Sequence, residues 1–265
     1  MRKVAFLAFA LLGASVSFAQ TPVVSSNGII NGASFSTDQP VAPGSLVSIF
    51  GTELAGGLTQ NDTVPLSNTL NNVSVALNNI PAGLYFVSAG QVNAQIPWDV
   101  LPAGTTSGAA MAVVKRGDAL SAPVNVNIVP VAPGVFYLPT QGGWAIAINA
   151  DGTLAAPVGA IPGLGTHPAK SGDAIVLYAT GLGAVTPAVA NGAASLDQLR
   201  TAVVTPTVLI AGRSASVLFA GLTPQFPGVN QVNFLVPSGL TAGPVSIQLQ
   251  SGGITSPDSV KMAVQ

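Results

Sequence analysis

The chain has 265 residues, of which 48% are hydrophobic and only 6% are charged, and its formal net charge is −1. It contains no cysteine and one histidine, which excludes disulfide bonds, thiolate zinc sites and multi-histidine metal sites. Its eight basic residues are too few for the positive surface that a nucleic-acid-binding protein needs. We therefore expect no cofactor, no metal ion and no nucleic acid partner.

The first 19 residues have the pattern of a secretory signal peptide. Arg2 and Lys3 precede an apolar run over residues 4–16, and the small residues Ser17 and Ala19 stand before the expected cleavage point. The apolar run is shorter than the ~20 residues that a membrane-spanning helix needs. We expect cleavage after Ala19. The mature chain would be exported to the periplasm, the extracellular space or the cell surface, with no membrane span of its own.

The next part of the chain has the pattern of a β-protein. Its apolar runs are short, rich in Val and Ile, and bounded by Gly, Pro, Asn and Ser, which is typical of strands and turns. The runs recur about every ten residues, a spacing found in sandwiches and barrels. We predict an all-β protein that begins with an immunoglobulin-like β-sandwich over residues 20–130.

Residues 131–170 form a connection that is rich in Pro and Gly and contains a predicted hairpin. A strand over residues 144–148 leads to the sequence Asn-Ala-Asp-Gly at residues 149–152, and Thr153 begins the return strand. Asp-Gly suits the positive φ of such a turn. We expect the hairpin to pack between two sandwiches, with Trp144 at their interface.

The remainder, residues 171–265, repeats the pattern of the first half and predicts a second immunoglobulin-like β-sandwich. Residues 43–55 resemble residues 170–183, and Gln-Val-Asn at residues 91–93 recurs at residues 231–233. The offset between matched residues grows from 128 at Val47 and Ile175 to 140 at Gln91 and Gln231. Such growth indicates insertions in the loops of a common scaffold. In both strands the amides alternate with apolar residues. They either face a ligand as a pair or tie neighbouring loops to the sheet, and we favour the second role.

Several motifs, taken in order, resemble one family. The chain is similar to the Solibacter-type C-terminal domain of exported acidobacterial proteins over residues 27–265, and each half more loosely resembles the IPT/TIG class of immunoglobulin-like sandwiches. The resemblance implies an extracellular β-module and implies no activity. The motifs that carry it are Ile-Asn-Gly-Ala-Ser-Phe at residues 30–35, Val-Ala-Pro-Gly-Ser at 41–45, Gly-Gln-Val-Asn at 90–93, Ile-Pro-Trp at 96–98, Asn-Ala-Asp-Gly at 149–152 and Leu-Tyr-Ala-Thr-Gly-Leu-Gly at 177–183.

No constellation of catalytic residues is evident in the sequence. The single His167 lies in an irregular Gly-Thr-His-Pro stretch, and no Gly-x-Ser-x-Gly nucleophile motif accompanies it. The acidic residues are scattered, and Asp151 and Asp173 have the positions of turn residues. We predict no catalytic, metal-binding or cofactor-binding residues.

Two aromatic residues are the weak candidates for ligand binding. Trp98 follows the proline that ends a strand, and Phe226 lies in a loop that is longer in the second half than in the first. Aromatic residues on rims and loops bind sugars or partner proteins, and they also cap the ends of cores.

The sequence therefore favours an exported, non-enzymatic interaction or adhesion module. Its partner would be a protein or a glycan at the cell surface or outside the cell. The alternative is a carbohydrate-binding module that uses Trp98 or Phe226. A hydrolase that uses His167 is a third and less favoured hypothesis.

Overall fold

The computed structural model describes residues 21–138 and 142–265, and the predicted signal peptide lies outside them. Within these ranges the chain forms 23 strands and no helix, so the prediction of an all-β protein is confirmed. None of the described residues forms a helix long and apolar enough to cross a membrane.

The first half contains two antiparallel sheets, with strand orders β1-β2-β7-β6-β3 and β10-β8-β4-β5, and β9 pairs with β8. Residues from both sheets, among them Ile49 and Leu84 of one and Val75 and Ile128 of the other, fill a single core between them. The strands are β1 (Val23–Asn31), β2 (Leu46–Thr52), β3 (Thr59–Gln60), β4 (Val73–Leu77), β5 (Ile80–Pro81), β6 (Gly83–Val87), β7 (Gln91–Gln95), β8 (Gly108–Arg116), β9 (Ala119–Leu120) and β10 (Val124–Ile128).

The second half forms one continuous sheet that folds around its own core. Its order is β11-β15-β20-β19-β18-β21-β23-β13-β12, and the long strand β19 pairs with β20 on one side and with β18 on the other. The strands are β11 (Gly134–Val135), β12 (Tyr137–Leu138), β13 (Trp144–Ala145), β14 (Ala147–Ile148), β15 (Ala174–Thr180), β16 (Val185–Thr186), β17 (Thr201–Ala202), β18 (Thr207–Ile210), β19 (Arg213–Leu222), β20 (Asn230–Leu235), β21 (Gly243–Ser251), β22 (Ile254–Thr255) and β23 (Lys261–Val264).

The strand pairings of the two halves follow the same ladder. Strands β2, β7 and β6 are neighbours in the first half, as β15, β20 and β19 are in the second. Val47 faces Ala94, and at the matched positions Ile175 faces Phe234. A register shift interrupts β6 just before Phe86 and β19 just before the matched Phe219. Equivalent residues therefore occupy equivalent places in the two sheets.

The connecting segment belongs to the second half and does not form a separate hairpin between the halves. Its turn at residues 149–152 is present, but the return consists of a single bridge from Ile148 to Leu154. Ala145 and Ala147 lie in the core of the second half. Trp144 packs in a small cluster with the C-terminal strand, and its ring lies 5.1 Å from Lys261 Nζ. These residues add strands to the second sheet because β12–β14 pair with each other or with β15 and β23.

Buried hydrogen bonds join the two halves. Asn31 is fully buried and donates its side-chain amide to the Ala132 carbonyl at 3.0 Å. Thr180, also fully buried, accepts from the Leu46 N–H at 2.9 Å and donates to the Gly228 carbonyl at 2.8 Å. One hydroxyl thus satisfies two backbone groups from opposite halves.

We predict that Thr180→Val destabilises the protein. Valine has nearly the same shape as threonine, but it leaves the Leu46 N–H and the Gly228 carbonyl buried without partners, at about 1–3 kcal/mol for each group. We expect the free energy of unfolding, measured by urea denaturation, to fall by about 2–4 kcal/mol. The matched control is Thr207→Val on the exposed side of β18, which should stay within about 0.5 kcal/mol of the wild type. Equal stability of the two variants would contradict the role assigned to Thr180.

Candidate functional site

A cleft of about 280 Å³ opens where the two halves meet. Trp98 lies three residues after the end of β7, and its backbone is hydrogen-bonded to Asn191 of the second half. Most of the wall is apolar, and two exposed threonines contribute its polar part. The lining residues are Pro43, Trp98, Thr105, Thr106 and Pro130 from the first half, and Ala184, Val185, Ala188 and Val189 from the second.

Trp98 is half-buried and firmly positioned in the wall of this cleft. Its backbone N–H donates to Asn191 Oδ1 at 2.7 Å, and the Asn191 amide donates to Asp99 at 2.8 Å. The indole ring lies directly against Gly44, where any side chain would collide with it. The indole Nε1–H is buried and has no acceptor in the described part of the chain. A buried donor without a partner is energetically costly.

Phe226 lies elsewhere, on an exposed loop over residues 223–229. Its side chain is 52% exposed. The hydroxyl of Thr223 closes the loop by donating to the Phe226 carbonyl at 3.1 Å, and Tyr85 of the first half donates to the Pro227 carbonyl at 2.8 Å. Phe226 is not among the residues that line the Trp98 cleft. The two aromatic candidates therefore belong to separate surfaces.

The amides of the Gln-Val-Asn strands divide into two roles. Gln95 ties loops to the sheet as expected, because it donates to the Gly44 carbonyl at 3.3 Å and accepts from the Gly192 N–H at 2.7 Å. Gln91 and Asn93 instead bond to each other, with 2.7 Å between Gln91 Nε2 and Asn93 Oδ1. They lie on the outer face of the sheet.

These outer amides line two matched concave surfaces, which we name the first and second troughs. The first trough, about 390 Å³, is lined by Gln60, Asn61, Tyr85, Phe86, Gln91 and Asn93. The second trough, about 400 Å³, is lined by Ser195, Leu196, Asp197, Gln198, Leu199, Phe219, Leu222, Pro224, Gln231 and Asn233. From the sequence, a ligand-facing role for these amides was the less favoured alternative, and its signal was the Gln-x-Asn pair repeated at matched strand positions.

His167 has a partner but no nucleophile. Its Nε2 lies 2.9 Å from Asp151 Oδ2 and its Nδ1 lies 2.9 Å from the Pro168 carbonyl. Both ring nitrogens are therefore occupied, and neither faces a hydroxyl group among the described residues. Asp151 also accepts hydrogen bonds from the backbone and hydroxyl of Thr153, and Asp173 accepts from the Lys170 N–H at 2.7 Å. The predicted turn roles of Asp151 and Asp173 are confirmed.

The hydrogen bonds around His167 and Asp151 shift the pKa values of both side chains. The Pro168 carbonyl, followed by Asp151, raises the pKa of His167 above its ordinary value. The Thr153 hydroxyl, followed by its backbone N–H and by His167, lowers the pKa of Asp151 to about 2. Within residues 21–138 and 142–265, no three His, Asp or Glu side chains converge as metal ligands.

Comparison with known proteins gives only distant similarities. No family model matches the chain, and no curated protein matches it either. Among solved structures, the SGBP-B protein of a mixed-linkage glucan utilization locus of Bacteroides ovatus is 12% identical with a TM-score of 0.30, covering 85% of this chain and 42% of that one. SGBP-B from a complex xyloglucan utilization locus in Bacteroides uniformis is 11% identical with a TM-score of 0.26, covering 92% and 49%.

Domains 5–6 of the S-layer protein SbsC are 15% identical with a TM-score of 0.27, covering 92% of this chain and 98% of that one. The chain spans less than half the length of either SGBP-B protein. Similarities with TM-scores this low do not indicate what this chain binds.

We predict that the titration of His167 depends on Asp151. Because the chain has one histidine, its imidazole resonances can be followed by NMR without assignment. The pKa of His167 should lie above 6.5 in the wild type and fall toward that value in Asp151→Asn. A raised histidine pKa stabilises the fold below pH about 6.5, and this contribution is lost as the pH rises through the raised value. An identical pKa in both proteins would contradict the pairing.

Proposed function

We propose that the protein is an exported, non-enzymatic interaction module in which two immunoglobulin-like, IPT/TIG-like β-sandwiches act as one rigid body. Membership of the Solibacter-type domain family is part of this proposal. The matched strand ladders support the tandem arrangement. The buried hydrogen bonds of Asn31 and Thr180 support rigidity. The occupied ring nitrogens of His167 support a role without catalysis.

The observation that carries the proposal is the Trp98 cleft. An apolar concavity with a few polar groups is the usual form of a binding site. Here the wall is mostly apolar, with Thr105 and Thr106 as its polar members. The occupant that fits is an uncharged apolar group, such as a side chain on an extended segment of a partner protein. The partner would lie at the cell surface or outside the cell.

The small number of charged residues in this chain is consistent with binding to a partner surface. A protein with few ionic groups repels other surfaces weakly. Several large apolar side chains are exposed on the second half, including Leu196, Leu199 and Phe226. Exposed apolar groups of this kind mark contact surfaces when they are clustered.

We predict that Trp98→Phe weakens binding to the surface of the organism that encodes the protein. The mature protein, whose N-terminus we expect at Gln20, would be labelled with a fluorophore and its binding to whole cells titrated by flow cytometry. Phenylalanine keeps an apolar ring but removes part of the apolar surface that the indole gives to the cleft wall, so affinity should fall about tenfold.

The matched control is Trp144→Phe, because Trp144 lies in the second half away from the cleft. This variant should bind as the wild type does, and the thermal midpoints of both variants establish that they are folded. A wild-type protein that binds no cells, or two tryptophan variants with equal affinity, would refute the assignment of the Trp98 cleft.

A further inference from the structure

The two troughs have the same construction at equivalent places in the two halves. In the first trough Phe86 pairs across the strands with Asn93, and in the second Phe219 pairs with Asn233. Gln91 lies two residues before Asn93, as Gln231 does before Asn233. The register shifts at matched positions in β6 and β19 bring each phenylalanine to the outer face beside the asparagine.

The amide pair in each trough has a fixed orientation. Gln91 Nε2 donates to Asn93 Oδ1 at 2.7 Å, and Gln231 Nε2 donates to Asn233 Oδ1 at 2.9 Å. In the first trough the Ser48 hydroxyl also donates to Asn93 Oδ1, at 3.2 Å. The glutamine oxygen and the asparagine NH₂ have no partner among the described residues. Each trough thus offers one acceptor and one donor side by side.

A hydroxyl group both donates and accepts hydrogen bonds. Two neighbouring hydroxyls of a sugar ring can therefore donate to the glutamine oxygen and accept from the asparagine NH₂ at the same time. Aromatic rings flank the amides: Phe86 and Phe219 lie beside the asparagines, while Phe50 faces Gln91 and Tyr178 faces Gln231 across the strands. The apolar C–H face of a sugar ring packs favourably on such rings.

The charges at the troughs favour a neutral ligand. The residues lining the first trough include no ionic side chain. The second includes Asp197, but Arg200 holds this carboxylate through two hydrogen bonds of 2.6 and 3.0 Å. Neither set of lining residues contains a cation that would attract an acidic sugar.

The troughs also border the same loop. Tyr85 of the first trough donates to the Pro227 carbonyl, and Pro224 lines the second. The exposed Phe226 stands on this loop between those two contacts. Two sites held near each other on a rigid body bind a repeating polymer more tightly than a short fragment of it.

We propose that the two troughs bind consecutive parts of one neutral polysaccharide chain. The amide pairs recognise ring hydroxyls, and the flanking aromatic rings support the sugar faces. This site is separate from the Trp98 cleft and does not depend on it.

The test measures the mobility of the mature protein in native gels that contain a polysaccharide. The neutral probes are a linear β-glucan, a xylan, a mannan and a starch, and polygalacturonate is the acidic comparison. Asn93→Asp and Asn233→Asp are the informative variants. Aspartate has the size of asparagine and still accepts from the neighbouring glutamine, but it replaces the free donor. Asn125→Asp adds the same charge at an exposed asparagine on β10 and is the matched control.

We expect at least one neutral polysaccharide to retard the wild type and Asn125→Asp alike. Each single trough variant should weaken this binding about tenfold or more, and the double variant should abolish it. The advantage of the polymer over a short oligosaccharide of the same sugar should disappear in the single variants. Polygalacturonate should bind none of the proteins.

Three outcomes would overturn the proposal: no retardation of the wild type by any neutral polysaccharide, unchanged binding by the double variant, or equal weakening by Asn125→Asp. Trp98→Phe separates this proposal from the previous one, because it should leave polysaccharide binding intact. If Trp98→Phe abolishes that binding and the trough variants do not, the sugar occupies the Trp98 cleft and the trough assignment is wrong.

Discussion

The structure depends on neutral hydrogen bonds that satisfy buried polar groups where the two halves meet. Thr180 supplies one hydroxyl to two backbone groups, and Asn31 uses both ends of its amide, accepting from the Ala33 and Ser34 N–H groups and donating to Ala132. Neutral groups of this kind suit a chain with 6% charged residues and no cysteine. They cost less to bury than ions, but each must find its partner because an unpaired one is destabilising.

Close backbone approach makes this junction possible. A Cβ at Gly134 would meet the Asn31 side chain, and one at Gly181 would meet the Ala132 carbonyl. Gly181 also has a φ of 84°, a conformation that favours glycine. The Gly-Leu-Gly segment at residues 181–183, directly after β15, therefore lets the second half lie against the first. The cleft at Trp98 and the loop carrying Phe226 both form along this contact.

Sequence reasoning succeeded where local pattern decides the outcome. Alternation along β7 correctly placed Val92 and Ala94 inward and the amides outward, since successive strand residues point to opposite faces. It could not tell that Gln95 would bind loops while Gln91 and Asn93 would bind each other, because that depends on which loops pass over the sheet. The place of the connecting segment also depends on a pairing distant in sequence, because Ala147 lies in the second core and pairs with Leu177 of β15.

The matched strand pairings of the two halves acquire a physical meaning when rigidity and site geometry are considered together. Two halves joined flexibly would lose conformational entropy each time both troughs engaged one chain, whereas a preorganised pair loses less. The hydrogen bonds of Thr180 and Asn31 fix the two halves, and the contact from Tyr85 to Pro227 fixes the loop between the troughs. The same contacts that stabilise the fold therefore set the spacing at which a repeating ligand would be bound.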